Sequence, residues 1–424
     1  MPDKTITIPY GDGMMSFQIS SDRLDGVYSP NRVEPLADVN AAFAAALDAP
    51  VGCPSLSQML QQRAPERLVI VVDDITRHTP VHLVLPQLLD ICNAAGVPDA
   101  RIKGVLALGT HRAMTDDEIL HKVGPEAIAR IPFINPRYDD PDDLVHYGQS
   151  ECGVDIWINR TYAEADFTIA ISNIIPHGAV GFSGGAKIIY PGVAGRKTVT
   201  QFHQAANGNP ENVSGRIDTP IRRDIEEMAA RVGLDFLACV VTTPKDEIAG
   251  ITAGDFVQAH RQGVTLSQQV YGIRLARRPR IAVASSFPAN LDLWQAAKCV
   301  FNCQGVVPDG GWLVMVTPCP EGVCDEHSPY DGYIGMDPAD LLAGIEAGTF
   351  DDPIAAAPAV CMARFRERIH IGVVSHGLSR ESVGKMRYHH FDTVEHALDH
   401  IFATEGSHPV AVFTHGGEAV PFVE

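Results

Sequence analysis

The stretch 176–192 places a histidine, His177, and a lysine, Lys187, ten positions apart on either side of a glycine-rich loop. Imidazole groups transfer protons near neutral pH, and amines act as nucleophiles. The glycines of the loop, among them Gly184 and Gly185, allow a backbone to approach a ligand closely because they lack a Cβ. These residue types favour a ligand-binding loop that carries two reactive groups.

A phosphate-binding loop of the type G-x-x-x-x-G-K-[ST] is the main alternative for this stretch. Gly181 and Lys187 approximate the required spacing, but Ala186 replaces the second glycine and Ile188 replaces the hydroxyl that binds magnesium. The sequence therefore disfavours a nucleoside triphosphatase. Taken alone, the loop is equally compatible with a glycine-rich turn and a solvated lysine.

The loop follows a predicted strand of an open α/β sheet. Residues 167–172 form an apolar, β-branched run that is typical of a buried strand. The runs 68–72 and 102–108 have the same character, and a capping box that starts at Thr115 predicts a helix after the second of them. Repeated strand–helix units predict a parallel α/β sheet.

Polar side chains follow each of these three predicted strands. Asp74 and Arg77 come after the first strand, His111 after the second, and His177 after the third. Because open α/β sheets bind ligands at the carboxyl ends of their strands, we expect these side chains to converge. A fourth candidate, His203, lies on a helix that is predicted to end at the turn 207–210.

A second strand–helix pattern begins after the polar segment 277–280. The fold class predicted is α/β, with two α/β domains that have mostly parallel sheets and an active site in the cleft between them. The predicted spans are 1–276 and 277–424, with the last residues of the chain returning to the first domain. In the second domain Gln295 and Lys298 are three positions apart on a predicted helix and therefore share a face.

Composition disfavours several classes of function. The 424 residues carry a formal net charge of −19, which argues against nucleic acid or an anionic membrane as a partner. The nine cysteines include no C-x-x-C pair, so a cysteine zinc site is not predicted and reduced thiols are expected. The first residues lack the apolar core of a signal peptide, and no apolar run is long enough to span a membrane. A cytoplasmic protein is expected.

Together, the motifs resemble those of the lactate racemase family, whose enzymes use a nickel-pincer nucleotide. The shared motifs are Asp73-Asp74-Ile-Thr-Arg77, Gly109-Thr-His111-Arg112, the stretch 176–192, His203, and Trp294-Gln295-Ala-Ala-Lys298. The resemblance implies an isomerase that racemises or epimerises a 2-hydroxy acid. It also implies proton-coupled hydride transfer to a tethered cofactor, through a 2-keto acid.

The resemblance assigns four residues to the cofactor, pyridinium-3,5-bisthiocarboxylic acid mononucleotide nickel. Lys187 is expected to hold it covalently, Gly184 and Gly185 to lie beside it, and His203 to bind the nickel as the metal ligand. A hydride acceptor must come from a cofactor because no side chain is one. Imidazole is also a suitable nickel ligand. Accessory proteins that make the cofactor are expected partners.

The resemblance assigns the acid–base chemistry to His111 and His177, with Asp74 and Arg77 beside them as catalytic residues. Two bases are required because the two enantiomers present their hydroxyl groups differently, and histidine has a pKa near neutrality. Three side chains are expected to contact the substrate: Arg77, Gln295 and Lys298.

One departure from the family concerns substrate size. Gly178 and Ala179 are small where the lactate enzymes carry bulky aromatic residues, so a larger aryl or polyhydroxy acid is expected. Two alternatives stay open: a zinc hydrolase or lyase with His111, His177 and His203 as ligands, and a binding protein of this fold without cofactor. The remaining histidines are expected at the surface or in satisfied structural positions.

Overall fold

The computed structural model describes residues 2–208 and 213–423. Its strands are β1 Asp3–Tyr10, β2 Gly13–Ser20, β3 Leu24–Tyr28, β4 Leu68–Asp73, β5 Ile102–Ala107, β6 Phe133–Ile134, β7 Leu144–Gln149, β8 Asp155–Asn159, β9 Phe167–Asn173, β10 Pro176–His177, β11 Gly181–Phe182, β12 Phe236–Thr242, β13 Ile248–Gly254, β14 Gly272–Leu275, β15 Ile281–Ser285, β16 Trp312–Val316, β17 His370–Val374, β18 His389–Phe391, β19 Val410–Phe413 and β20 Val420–Val423.

The helices cover the faces of two sheets. They are α1 Val39–Asp48, α2 Leu56–Arg63, α3 Val81–Ala94, α4 Asp116–Val123, α5 Pro125–Arg130, α6 Arg160–Ala163, α7 Arg196–Gly208, α8 Pro220–Val232, α9 Phe256–Tyr271, α10 Leu293–Cys303, α11 Tyr330–Ile334, α12 Pro338–Ala347, α13 Pro353–Arg368, α14 Arg380–Lys385 and α15 Val394–Glu405. Within the two described ranges, no helix combines the length and apolar composition needed to cross a bilayer.

The first sheet has six strands in the order β13-β12-β9-β4-β5-β6. Only the β12–β13 pairing in this sheet is antiparallel. Strands β4, β9 and β12 are buried along their full lengths, because apolar clusters pack on both faces of the sheet. This explains why their sequences are continuous apolar runs rather than alternating patterns.

The second sheet is parallel throughout, in the order β18-β17-β16-β15-β19-β3. The predicted α/β class with mostly parallel sheets is confirmed. The predicted strand–helix alternation after residue 280 matches β15, α10, β16, α12, β17 and β19, and the predicted capping box begins α4. The predicted turn at 207–210 falls largely on residues outside the described ranges.

The amino-terminal strands lie with the second sheet. Strand β3 pairs in parallel with β19, and the β1–β2 hairpin packs its apolar side chains on one face of this sheet. Residues 3–28 therefore lie with the second sheet, although the predicted span 1–276 includes them; below, each sheet together with the helices that cover it is called the first or the second domain. Near the carboxyl terminus β20 pairs with β14, which connects the last residues of the chain to the end of the first domain.

The order of the first sheet creates a crevice at the carboxyl end of β4. The chain passes from β4 to β5 and β6 on one side, and later returns to β9 on the other side of β4. Ligands of open α/β sheets bind where the strand order reverses in this way. The residues that follow β4, β5 and β9 are those that the sequence singled out.

Candidate functional site

The first sheet brings the predicted polar residues together at this crevice. Strands β5, β4 and β9 are neighbours and parallel, so the loops that follow them leave the same edge of the sheet. The charges of Arg77, Lys187 and His203 all act on the imidazole of His177. The stretches that the sequence identified separately therefore form one site.

Asp74 orients His111. The His111 Nδ1 atom lies 2.5 Å from Asp74 Oδ2, while Asp74 Oδ1 accepts hydrogen bonds from the amide and the hydroxyl of Thr76. Burial raises the pKa of the Asp74 carboxyl, but the hydrogen bond and charge of His111 outweigh it and hold this pKa well below its usual range. An ionised Asp74 fixes the proton of His111 on Nδ1 and leaves Nε2 able to accept a proton.

Asp73 and Lys122 hold the loop that carries Arg77. Lys122 Nζ lies 2.6 Å from Asp73 Oδ1 and donates a hydrogen bond of 2.7 Å to the carbonyl oxygen of Arg77. Both side chains are buried, so this ion pair is protected from solvent. Asp73 therefore positions the loop, whereas its neighbour Asp74 faces the histidine.

His177 has the opposite tautomer to His111. The amide of Ala179 donates a hydrogen bond of 3.2 Å to His177 Nδ1, which therefore carries no proton. Burial, followed by the positive charges of Lys187 and Arg77, lowers the pKa of His177 well below its ordinary value. A neutral imidazole whose Nδ1 accepts a hydrogen bond carries its proton on Nε2.

Lys187 lies in an environment that disfavours its charged form. Burial lowers the pKa of its amine to about 7, and the neighbouring charges of Arg77 and Arg222 act in the same direction. Asp74 opposes the shift. At neutral pH a large share of the amine is therefore unprotonated, which is the nucleophilic form.

A buried arginine that the sequence did not indicate supports the loop that carries Lys187. Arg222, on α8, donates hydrogen bonds to the carbonyl oxygens of Val180, Phe182 and Gly184. His260, on α9, donates a hydrogen bond of 3.0 Å from Nε2 to the carbonyl oxygen of Ser183. Nothing in the spacing of Arg222 distinguishes it from surface arginines, since only the tertiary packing buries it.

Gly184 and Gly185 are required by the turn and by protein packing. Both have positive φ angles, 66° and 63°. A Cβ on Gly184 would lie 2.7 Å from the carbonyl oxygen of Asn173, and one on Gly185 would lie 2.6 Å from Cδ2 of His260. Their missing side chains thus face β9 and α9. A direct contact of either glycine with the cofactor stays a prediction.

His203 presents one ring nitrogen that is free of helix contacts. Its Nδ1 lies 2.8 Å from the carbonyl oxygen of Val199, one turn earlier on α7, so this nitrogen carries the proton. Burial lowers the pKa of His203 to about 4, with contributions from the charges of Lys187 and His111. The imidazole is neutral at pH 7, and Nε2 keeps the lone pair that a metal requires.

The second domain contributes the amino-terminal half of α10. Asp292 caps this helix by accepting a hydrogen bond of 2.7 Å from the amide of Gln295. Lys298 Nζ donates a hydrogen bond of 2.6 Å to Gln295 Oε1. Burial lowers the pKa of Lys298 to about 7, and the charge of Arg77 across the cleft contributes to this shift.

The space beside Gly178 is filled by the second domain. A Cβ added to Gly178 would lie 2.7 Å from both Cβ and Cγ of Phe301, on α10. The small residue at 178 therefore allows close contact between the two domains and does not by itself widen the pocket. The sequence missed this because a missing side chain shows neither which atoms replace it nor where they come from.

His327 also lies in this region, although the sequence predicted only a surface or structural position for it. Its Nδ1 lies 2.7 Å from Asp352 Oδ2, and its ring packs against Trp294 with centroids 4.1 Å apart. Its charge also acts on His203 in the first domain. No local signal identifies His327, because Asp352 is 25 positions away.

The three-histidine zinc alternative has no geometric support. Among the residues that the structure describes, no group of three or more histidine, cysteine, aspartate or glutamate side chains is arranged to hold a metal ion. His177 also lacks a free lone pair, because its Nδ1 accepts the amide of Ala179 and its Nε2 carries the proton.

Known proteins resemble this chain over most of its length. Residues 10–215 match the family described as the lactate racemase N-terminal domain. The chain is 28% identical to the lactate racemase of Lactiplantibacillus plantarum over 369 residues, which cover 85% of each chain. It is 27% identical to the lactate racemase of Thermoanaerobacterium thermosaccharolyticum over 328 residues, which cover 75% of each.

Solved structures share the fold. The lactate racemase apoprotein of Thermoanaerobacterium thermosaccharolyticum superposes with a TM-score of 0.88 at 24% identity, covering 99% of this chain and 100% of the other. A protein from Thermotoga maritima superposes with a TM-score of 0.66 at 21% identity, covering 87% and 98%. Together with the sequence matches, these findings confirm the resemblance that the motifs predicted: residues 10–215 form a lactate racemase N-terminal domain, and the chain is an isomerase similar to lactate racemases over most of its length.

Proposed function

We propose that this protein racemises or epimerises a 2-hydroxy acid by proton-coupled hydride transfer through a 2-keto acid. The observation that carries the proposal is the pair of histidines in opposite tautomers beside one lysine. His111 has a free Nε2 acceptor, because its Nδ1 proton is held by Asp74. His177 carries its proton on Nε2, because its Nδ1 accepts the amide of Ala179, and it can donate this proton once Nδ1 is protonated as well.

These tautomers are suited to one proton transfer at each histidine. In one direction His111 accepts the proton of the substrate hydroxyl as the adjacent C–H bond breaks and the carbonyl forms. His177, as the imidazolium, donates its Nε2 proton to the carbonyl oxygen as the hydrogen returns to the opposite face of the carbon, and it is left neutral. The reverse reaction exchanges the two roles, and proton exchange with solvent returns both histidines to their starting forms after each turnover.

The residues fit a lysine-tethered cofactor that contains a metal. Lys187 has a pKa of about 7 and so presents an unprotonated amine, and His203 presents a free Nε2 lone pair. When bound, the nickel-pincer nucleotide would supply the hydride acceptor that side chains lack. We propose Lys187 as the point of attachment and His203 as the nickel ligand.

The substrate carboxylate is expected between the two domains. Arg77 presents a guanidinium from the loop after β4. Lys298 presents an amine from α10, and the charge of Arg77 lowers the pKa of this amine. A carboxylate would favour the charged form of Lys298 and accept hydrogen bonds from both cations. Gln295, already bonded to Lys298, would orient that amine.

A substrate larger than lactate stays part of the proposal, but Gly178 does not support it. Phe301 occupies the volume that a side chain at 178 would take. Support comes instead from the pair His327 and Asp352 of the second domain, which the inversion chemistry leaves unused. A cytoplasmic location and the cofactor-making accessory proteins as partners also stay predictions.

The test is the intact mass of protein produced together with the cofactor-making accessory proteins. We expect a mass gain that maps to Lys187 and disappears in Lys187→Ala, whereas Lys103→Ala, at an exposed position, retains it. Stereochemical inversion of 2-hydroxy acids in deuterated water should leave the α-carbon free of deuterium. An unmodified Lys187 in a protein that racemises these acids would refute the proposal, and a protein without mass gain and without activity would favour a binding protein.

A further inference from the structure

A second histidine–aspartate pair lies in the second domain, outside the residues assigned above. His327 Nδ1 lies 2.7 Å from Asp352 Oδ2, and the two side chains are only 15% and 18% exposed. The other oxygen of Asp352 accepts the amide of Ala355 at 3.0 Å and so caps α13. The pair is therefore held by a helix end rather than by flexible surface groups.

The pair lies beside the substrate-facing end of α10. The amides of Leu293 and Trp294 donate hydrogen bonds of 2.9 and 3.3 Å to the carbonyl oxygens of Gly322 and Val323, which attach the segment 321–327 to the start of this helix. The imidazole of His327 then packs against the Trp294 ring with an interplanar angle of 32°. Trp294 precedes Gln295 directly.

The same segment acts electrostatically on two residues of the first domain. The charge of His327 acts on His203, and the charge of Glu326 acts on Arg112, which follows His111. These two interactions come from neighbouring residues of the segment and reach helix α7 and the loop after β5. The inversion chemistry uses neither His327 nor Asp352, because His111 and His177 account for both proton transfers.

We infer that His327, held by Asp352 against Trp294, forms a subsite for a hydroxyl group of the substrate beyond the carbon that is inverted. This inference rests on the proposed function and names its substrate class, a polyhydroxy 2-hydroxy acid. Since Nδ1 points to the Asp352 carboxylate, Nε2 is the nitrogen that accepts a hydrogen bond from the substrate hydroxyl. The Trp294 ring supplies an apolar face for the C–H groups of such a chain.

A second carboxylate on the substrate is less suited to this position. Asp352 is bonded to His327, Asp292 is influenced by the charge of His327, and Glu326 is its chain neighbour. Three carboxylates around one imidazole disfavour a further anion. A neutral hydroxyl has no such repulsion, and it can satisfy the free ring nitrogen.

The test compares two substrates that differ only in hydroxyl groups: 2,3,4-trihydroxybutanoate and 2-hydroxybutanoate. In the cofactor-loaded protein, His327→Leu should lower the ratio of kcat/KM for the trihydroxy acid over the monohydroxy acid by about 10-fold or more, because a polar partner is lost. Asp352→Asn should lower the ratio in the same direction, and His327→Gln should recover part of it. The exposed His396 provides the matched control, His396→Leu, which should keep the ratio.

Binding measurements separate this inference from the proposed function. By calorimetry, the trihydroxy acid should bind the protein more weakly in His327→Leu than in His396→Leu, with thermal unfolding as the check of folding. If no acid is inverted but this difference persists, the proposed function fails and the subsite stands. If 2-hydroxybutanoate is inverted, and His327→Leu changes neither the kcat/KM ratio nor the binding of the trihydroxy acid, the subsite is refuted. If His327→Leu lowers kcat/KM only for 2-hydroxybutanedioate, the hydroxyl subsite is also refuted, and a site for a second carboxylate is favoured.

Discussion

The amine of Lys187 should titrate near neutral pH in the protein without cofactor, and its reactivity can show this directly. Burial and the charges of Arg77 and Arg222 lower its pKa from 10.5 to about 7. At pH 7 about half of such an amine is unprotonated, compared with roughly one part in 3,000 for an ordinary lysine. The gain in reactive fraction is therefore about 10³-fold.

The assay is acylation with a small reagent such as acetic anhydride, followed by mass spectrometry of the peptide that contains Lys187. Because burial also slows access of the reagent, the midpoint of the rate against pH is the informative quantity, rather than the rate at one pH. We expect a midpoint near pH 7 at Lys187. Lys103, which is exposed, serves as the comparison within the same sample.

The matched variants are Arg222→Met and Arg223→Met. Arg222 is buried below the loop, whereas its neighbour Arg223 is 59% exposed and pairs with Asp218 at the surface. Removing the buried positive charge should move the Lys187 midpoint to higher pH, and Arg223→Met should leave it near 7. A midpoint close to that of Lys103 in the unaltered protein would refute the argument that burial and cationic neighbours activate this amine.

Three further predictions concern the site and its support. Asp74→Asn should lower kcat by about 10²-fold or more, since the amide no longer fixes the His111 tautomer, whereas thermal unfolding should change little by comparison. Gly178→Ala places a methyl group 2.7 Å from Phe301 and should lower kcat/KM by about 10-fold through separation of the domains. Phe301→Leu in the same chain should restore part of it, and failure of that rescue would contradict the packing argument. Glu418 is buried with one carboxylate oxygen lacking a hydrogen-bond partner, and burial raises its pKa to about 8. The folded state thus binds its proton more tightly than the unfolded chain. Its contribution to stability is full below about pH 4.5 and is lost as pH rises through about 8. Glu418→Gln should therefore unfold at a higher temperature than the unaltered protein at pH 9, by an amount that corresponds to a free energy on the order of a few kcal/mol, and the difference should shrink at pH 5.

Local patterns were sufficient to locate most strands and helices that build the site. The apolar runs before Asp74, His111 and His177 are readable because strands covered on both faces have continuous apolar sequences. The placement of β3 and of the β1–β2 hairpin on the second sheet could not be predicted from the sequence. Strand β3 pairs with β19 across nearly the whole chain, and such pairing leaves no periodic signal in either segment.

The functions of individual glycines also depend on contacts between distant segments. The small residue Gly178 indicated an open pocket from sequence, but Phe301 fills that volume. Gly184 and Gly185 indicated a close approach to a ligand, but the atoms nearest to their missing side chains belong to Asn173 and His260. A sequence states that a side chain is absent and does not state what replaces it.

The sequence by itself determined which groups are available for chemistry: a lysine within a glycine loop, two histidines and a carboxylate that follow predicted strands, a third histidine on a predicted helix, and a polar pair on a helix of the second domain. Their types and spacings are properties of single segments, and these sufficed for the family. Only the tertiary structure decided the protonation of these groups. The Asp74 bond to His111, the Ala179 bond to His177 and the buried Arg222 below the Lys187 loop all depend on burial and neighbouring charge, which arise when distant segments pack together.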